Sequence, residues 1–279
     1  MGSINSRPLK AYVRFDGSGR IVAGSLILRK NKPKVGKWKE IQAYECCITT
    51  SSSTTLPPTT TTTTTAALAT CEALGRAAGF AILGASAVTN TGATEITGDL
   101  GLYPGTSVTG FPPGTVSGLS YITDTQAQNA QTDAITAKNC LLALPPDATL
   151  SSELNGTTVL PGVYDFASSA EISGTVTLDG AGNSASTFVF QIPSTFIPGT
   201  GAIVNLTNGA EPCNIYWIVG SSATLSAGSE IYGNIIAQTS ITINTGAQLT
   251  GRAFALTGAV TMNSNSIGNC NCTANPCAT

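Results

Sequence analysis

Through the last two thirds of the chain, apolar and polar positions alternate in short units that return about every eighteen residues. Val176-Thr177-Leu178-Asp179, Ala223-Thr224-Leu225-Ser226, Ile241-Thr242-Ile243-Asn244 and Val260-Thr261-Met262-Asn263 share the order apolar-Thr-apolar-polar, and Val204-Asn205-Leu206-Thr207 is an imperfect copy. Successive side chains of a strand point to opposite faces, so each unit puts its apolar pair on one side and Thr on the other. Such a unit cannot bury its apolar side alone. Successive coils must stack, about 4.7–4.9 Å apart in the hydrogen-bonding direction, and the Thr residues then form a column. Glycines between units, such as Gly228, Gly233, Gly246 and Gly251, supply the backbone for corners. The pattern predicts a mostly β chain wound into a β-solenoid.

One segment has another period. Within residues 123–144, Ala127, Ala130, Ala134, Ala137 and Leu141 fall at steps of three and four, Asp124 stands in the first turn, and Pro145-Pro146 ends the run. This predicts a helix whose small-residue face lies close against a flat sheet. Near the N-terminus, AYVRF and SLILRK alternate around DGSGR, which predicts a β-hairpin within residues 1–47. That module is too poor in apolar groups to be stable without a partner. Residues 48–70, TTSSSTTLPPTTTTTTTAALAT with its flanking Ile48, carry no charge and little to bury, and read as an extended Thr-rich linker. The solenoid follows over residues 71–268, with a Cys-containing tail at 269–279.

Composition sharpens this division. Ten of the thirteen basic residues lie between Arg7 and Lys39, against three acids up to Cys47, whereas residues 71–279 hold twelve acids and three bases. Arg29, Lys30, Lys32, Lys34, Lys37 and Lys39 surround Trp38, a cluster that fits docking into a larger protein assembly; a run so short disfavours a nucleic-acid reader. No segment has the length of a membrane span, and no signal peptide is visible. The chain has no His, the commonest general base, and no zinc-like pairing of cysteines, so neither metal nor cofactor is expected. Asp165 and Glu171 are the carboxylates that a solenoid glycosidase would need, the remotest of the readings. Cys213 fits a buried apolar role, with Cys140 either its disulfide partner or a space filler.

Several long stretches resemble the ice-binding-like adhesive domain of microbial antifreeze proteins. They are FAILGASAVTNTGATEITGDLGLYPGTSVTGFPPGTV (residues 80–116), LPGVYDF (160–166), TLDG (177–180), FVFQI (188–192), NGAEPCNIYWIVGSSATL (208–225) and GNIIAQTSITINTGA (233–247). The resemblance covers residues 71–268 and implies a discontinuous three-sided β-solenoid with one long helix packed alongside, a flat face rich in Thr, Ser and Ala that adsorbs to ice, and no enzymatic activity. The family's Thr-Gly/Ala-x-Thr/Asn motif stands intact as Thr91-Gly92-Ala93-Thr94, whereas Thr245-Gly246-Ala247-Gln248 and Ala227-Gly228-Ser229-Glu230 depart from it.

Thr suits an ice surface because its β-branched side chain has few rotamers and presents a methyl and a hydroxyl together. The candidate face comprises Thr91, Thr94, Thr177, Thr224, Thr242, Asn244, Thr261 and Asn263; stacked Thr also favours strand pairing whatever the face binds. The expected protein is a non-enzymatic adhesive head displayed outside the cell or on a particle such as a virion, held by residues 1–47. Its face meets a cell-surface or glycan receptor or, as the alternative, ice. The oligomeric state stays open, a homo-oligomer included.

Overall fold

The computed structural model describes residues 74–268 and 270, together with the backbone of three strands, Lys10–Arg14, Ile27–Arg29 and Trp38–Ile41. The chain divides into two compact units, residues 1–58 with 274–279, and residues 59–273. In the first, Lys10–Arg14 is the central strand, antiparallel to both others, with Lys10 opposite Arg29 and Arg14 opposite Trp38. The two segments expected to form a hairpin do pair, and Trp38–Ile41 adds a third strand. Arg29, Trp38 and Lys39 stand on these strands; Lys30, Lys32, Lys34 and Lys37, the linker and residues 271–279 lie outside the described residues.

In the second unit, parallel strands stack into three faces. The first runs Ser120–Ile122, Asp99–Leu102, Phe80–Gly84, Gln248–Ala255, Glu230–Ala237, Ile215–Val219, Phe188–Ile192, Gly162–Phe166 and Ala148–Leu150. The second joins Thr158–Val159, Thr175–Asp179, Ile203–Thr207, the first halves of Glu230–Ala237 and Gln248–Ala255, Ser266–Gly268, Glu95–Thr97 and Thr115–Val116. The third is seven-stranded: Ala170–Ile172, Phe196–Pro198, Ala223–Leu225, Ile241–Ile243, Val260–Asn263, Ala87–Thr91 and Ser107–Thr109.

Stacking order departs from chain order. The coils built from residues 80–116 sit beyond the last C-terminal coil, with Ala253 paired to Ile82 and Val260 to Val88. Helix α1 (Thr125–Leu142) then carries the chain along the first face towards Ala148–Leu150, the strand at the opposite edge of that face, from which winding resumes. The solenoid is therefore discontinuous.

Inside the coils, inward apolar side chains fill one continuous core. Trp217 stacks between Phe190 and Phe196, with ring centroids 4.2 and 4.4 Å away, and its indole N–H donates to the Tyr232 carbonyl at 2.9 Å. Between α1 and the first face a second core forms, in which Ala130, Ala134, Ala137 and Leu141 meet Leu83, Val189, Ile218, Ile236 and Phe254. Alanines let the helix axis approach closely, as the small-residue face predicts.

The helix ends are bound by named groups. Asp124 caps the N-terminus by accepting from the Ala127 N–H at 2.9 Å, and the Gln191 amide, buried on the sheet, donates to the Leu141 and Leu144 carbonyls at 2.8 and 2.9 Å. Midway, Gln131 donates to the carbonyls of Gly84 and Ala255 at 2.9 and 3.2 Å. Arg76 grips Asp133 at 2.9 Å, and that hydrogen bond holds the Asp133 carboxyl below the usual carboxylate range.

The two longest strands turn from the second face to the first at paired glycines, Gly233 opposite Gly251. A Cβ on Gly251 would stand 1.8 Å from the Gly233 carbonyl oxygen, a backbone atom that cannot yield. Gly251→Ala is expected to destabilise the protein by about 2–3 kcal/mol, at the upper end of ordinary single substitutions, read as a lowered urea midpoint.

Cys140 and Cys213 are each disulfide-bonded, so neither is a free space filler. Cys270 is a free, buried thiol. The buried guanidinium of Arg252 gathers this end of the solenoid, donating to the Ala78 carbonyl at 2.8 Å, to Asn234 Oδ1 at 2.8 Å and to Cys270 Sγ at 2.9 Å.

Candidate functional site: a flat threonine face

Alternation on the seven-stranded face puts apolar residues inward and leaves short polar ones outside. Its central outward row runs Glu171, Ile197, Thr224, Thr242, Thr261, Thr89 and Thr109, each in register with the next. Five successive rungs thus carry Thr, spaced by the strand separation of about 4.7–4.9 Å.

Rows of small residues flank it. On one side, Ser222, Ser240, Ala259, Ala87 and Ser107 lie one pleat away; on the other stand Ser226, Asn244, Asn263 and Thr91. Rows on one face of a strand are two residues apart, about 6.6–6.8 Å, so the face is a two-dimensional grid of methyls, hydroxyls and amides. Each Thr is backed by a buried sheet, and the Thr89 and Thr261 hydroxyls are themselves linked at 3.2 Å. Inward Val88, Ala223, Ile241 and Val260 are fully or almost fully buried and hold the grid level.

Charge separates this face from the others. Among the outward positions of the seven strands, Glu171 is the one ionisable residue. The second face exposes Glu95 and carries Glu230, which accepts from the Tyr232 hydroxyl at 2.6 Å, and the first face lies under α1. Among the described residues, the seven-stranded face is the one of the three that carries a single ionisable residue and is not covered by α1.

Of the residues expected on the candidate face, Thr224, Thr242 and Thr261 share the central row, with Asn244, Asn263 and Thr91 beside it. Thr177 stands elsewhere: its strand belongs to the second face, where it pairs with Thr158 and Asn205. Thr94 is fully buried at a corner, and its Oγ1 accepts from the Asn265 N–H at 3.1 Å, so it meets no external surface. Thr89 and Thr109, which complete the row, lie in Ala87-Val88-Thr89-Asn90 and Ser107-Val108-Thr109-Gly110. Both keep the apolar-Thr step but follow Thr with Asn or Gly, so a search that demands an apolar residue there passes over them.

Asp165 lies on a strand of the first face and Glu171 on the seven-stranded face, so the two carboxylates that a glycosidase reading would pair stand on different faces. Among the described residues no cluster of three His, Cys, Asp or Glu could hold a metal ion, and no helix is long and apolar enough to cross a membrane.

Comparison with known proteins shows the family and the fold. The family model described as ice-binding-like matches residues 82–268. An ice-binding protein from Nostoc sp. (strain HG1) is 46% identical over 203 residues, covering 72% of this chain and 75% of that protein. The crystal structure of an ice-binding protein from an Antarctic biological consortium superposes with a TM-score of 0.71 at 44% identity, over 77% of this chain and 96% of that one. That of the Antarctic ascomycete Antarctomyces psychrotrophicus gives 0.68 at 41% identity, over 71% and 98%.

Proposed function

Because the chain belongs to the ice-binding-like family, a non-enzymatic one, we propose that it adsorbs to ice through the seven-stranded face, with Thr224, Thr242, Thr261, Thr89 and Thr109 as the central contact row. The observation that carries this is the in-register run of five threonines on a face whose one ionisable outward residue, Glu171, stands at its end. Ice presents a rigid, periodic array of water. A matching surface must be rigid and periodic too, and must hold its own water loosely enough to share it. Threonine methyls exclude disordered water while the hydroxyls anchor an ordered layer, and the stacked sheet fixes their spacing before contact, so little ordering entropy is lost on adsorption.

The relatives, named for ice, favour ice over a cell-surface or glycan receptor as the ligand. Work outside the cell agrees with the disulfides at Cys140 and Cys213, since such bonds persist in oxidising surroundings. The basic module at residues 1–47 serves in this reading as a foot holding the head on a larger assembly. Its support is the positive charge set against an acidic remainder; a virion as that assembly draws no support from the relatives.

Full-length protein should produce thermal hysteresis and facet ice crystals at micromolar concentration. Ice that grows as unfaceted discs at its equilibrium freezing point in the presence of folded protein would refute the reading.

A further inference from the structure

The seven-stranded face supplies more rungs than its threonines occupy. Past Thr224 the central row continues onto Ile197 and then Glu171, through the pairs Phe196 with Ala223 and Glu171 with Ile197. The flanking row does not break there: Ser222 is followed by Thr195 and Ser169, whose hydroxyls are 2.8 Å apart. The backbone therefore keeps its register through all seven strands, with small hydroxyl side chains beside the row at both extra rungs.

We propose that Ile197 and Glu171 set the length of the ice-contacting row, ending it at five rungs on a scaffold built for seven. The inference rests on the reading of the seven-stranded face as the ice-binding surface. Each residue stops the row in its own way. The Ile197 side chain is β-branched like Thr but one carbon longer and without a hydroxyl, so it rises above the plane and anchors no water. Glu171 is exposed, and a carboxylate binds several waters in an arrangement set by its own charge. Those waters must be stripped or displaced before a lattice plane can approach. Glu153 adds to this: residue 153 bridges residue 171 on the next coil outward, so a second exposed carboxyl-bearing residue stands at the same end. The end of the face marked by Glu171 is thus closed by charge, whereas the end marked by Thr109 runs hydroxyl to the last strand.

The test compares full-length protein with Ile197→Thr/Glu171→Thr, Glu171→Gln and, as reference, Thr242→Tyr, by thermal hysteresis at equal concentration and by fluorescent labelling of ice hemispheres. Seven rungs in place of five should raise hysteresis in the double variant by at least about 1.4-fold, the ratio of matched areas, if adsorption scales with contact area. Glu171→Gln, which keeps size and removes charge, should move part of the way. Parental activity that is lost in Thr242→Tyr yet unchanged or lowered in a folded double variant overturns this inference while leaving the ice reading intact. Activity that survives in Thr242→Tyr moves the contact off the seven-stranded face and overturns this inference with that assignment, whereas a folded parent without hysteresis overturns the ice reading itself. Unfolding midpoints of all variants, measured alongside, separate surface effects from instability; should the double variant lose its fold, the Glu171→Gln result alone decides, an unchanged hysteresis overturning the proposal.

Discussion

Replacing Thr242 by Tyr is expected to cut thermal hysteresis by at least about tenfold, because one protruding side chain lifts the rows around it off the lattice. Thr242 is the central rung on the C-terminal side of the row, between Thr224 and Thr261. Its side chain points outward while Ile241 and Ile243 beside it are buried, so a tyrosine ring there stands above the plane without entering the core. A protrusion inside a contact row, with threonine rungs on both sides, holds its neighbours off the lattice, and the loss therefore exceeds one residue's share of the area. Tyr is a good strand former, so stability should stay within about 0.5 kcal/mol of the parent. Thr250→Tyr is the matched control: it lies on an exposed position of the second face and should leave hysteresis unchanged. Equal losses in both variants would assign the effect to bulk and not to the face.

The largest effect on stability is expected from Trp217→Ala, about 3–5 kcal/mol. Trp217 has no solvent exposure, fills the space between Phe190 and Phe196 at stacking distance, and supplies the hydrogen bond that the Tyr232 carbonyl receives inside the core. Removing the indole leaves a cavity that rigid, hydrogen-bonded coils cannot close, and strands an acceptor. Trp217→Phe should cost less, since a ring still stacks there while the hydrogen bond and part of the indole volume are lost, about 1–3 kcal/mol. Urea unfolding followed by circular dichroism gives both values; a difference of less than 0.5 kcal/mol between the parent and Trp217→Ala would contradict the packing described above.

Much of this architecture can be read from the chain because its signals are periodic. The alternating units around Thr224, Thr242 and Thr261 fix which side chains face out, and their recurrence at nearly equal intervals along the chain brings them into register on stacked coils. The alanine spacing from Ala127 to Leu141 likewise fixes which side of α1 is buried. Thr177 is separated from Thr224 and its neighbours because its unit, Val176-Thr177-Leu178-Asp179, has the same alternation yet falls on another side of the coil. Alternation reports inside against outside and carries no information on which of three outer faces a strand joins. Thr94 misleads for a related reason: the Thr91-Gly92-Ala93-Thr94 stretch passes through a corner, with Gly92 at φ 82°, and the chain turns Thr94 inward after leaving Thr91 outside. The place of Thr89 beside Thr261 could not be read at all, since it depends on a pairing between residues 172 positions apart.

That distant pairing ties recognition to completion of the chain. Three rungs of the threonine row are contributed by residues 224–261 and two by residues 89–109, and they become one surface only when the last coil docks on the first two. Neither half alone offers the full row. In the proposed reading, a nicked polypeptide lacking the closing coil would present only part of the template, so lattice contact waits on the docking of chain segments that are far apart in sequence.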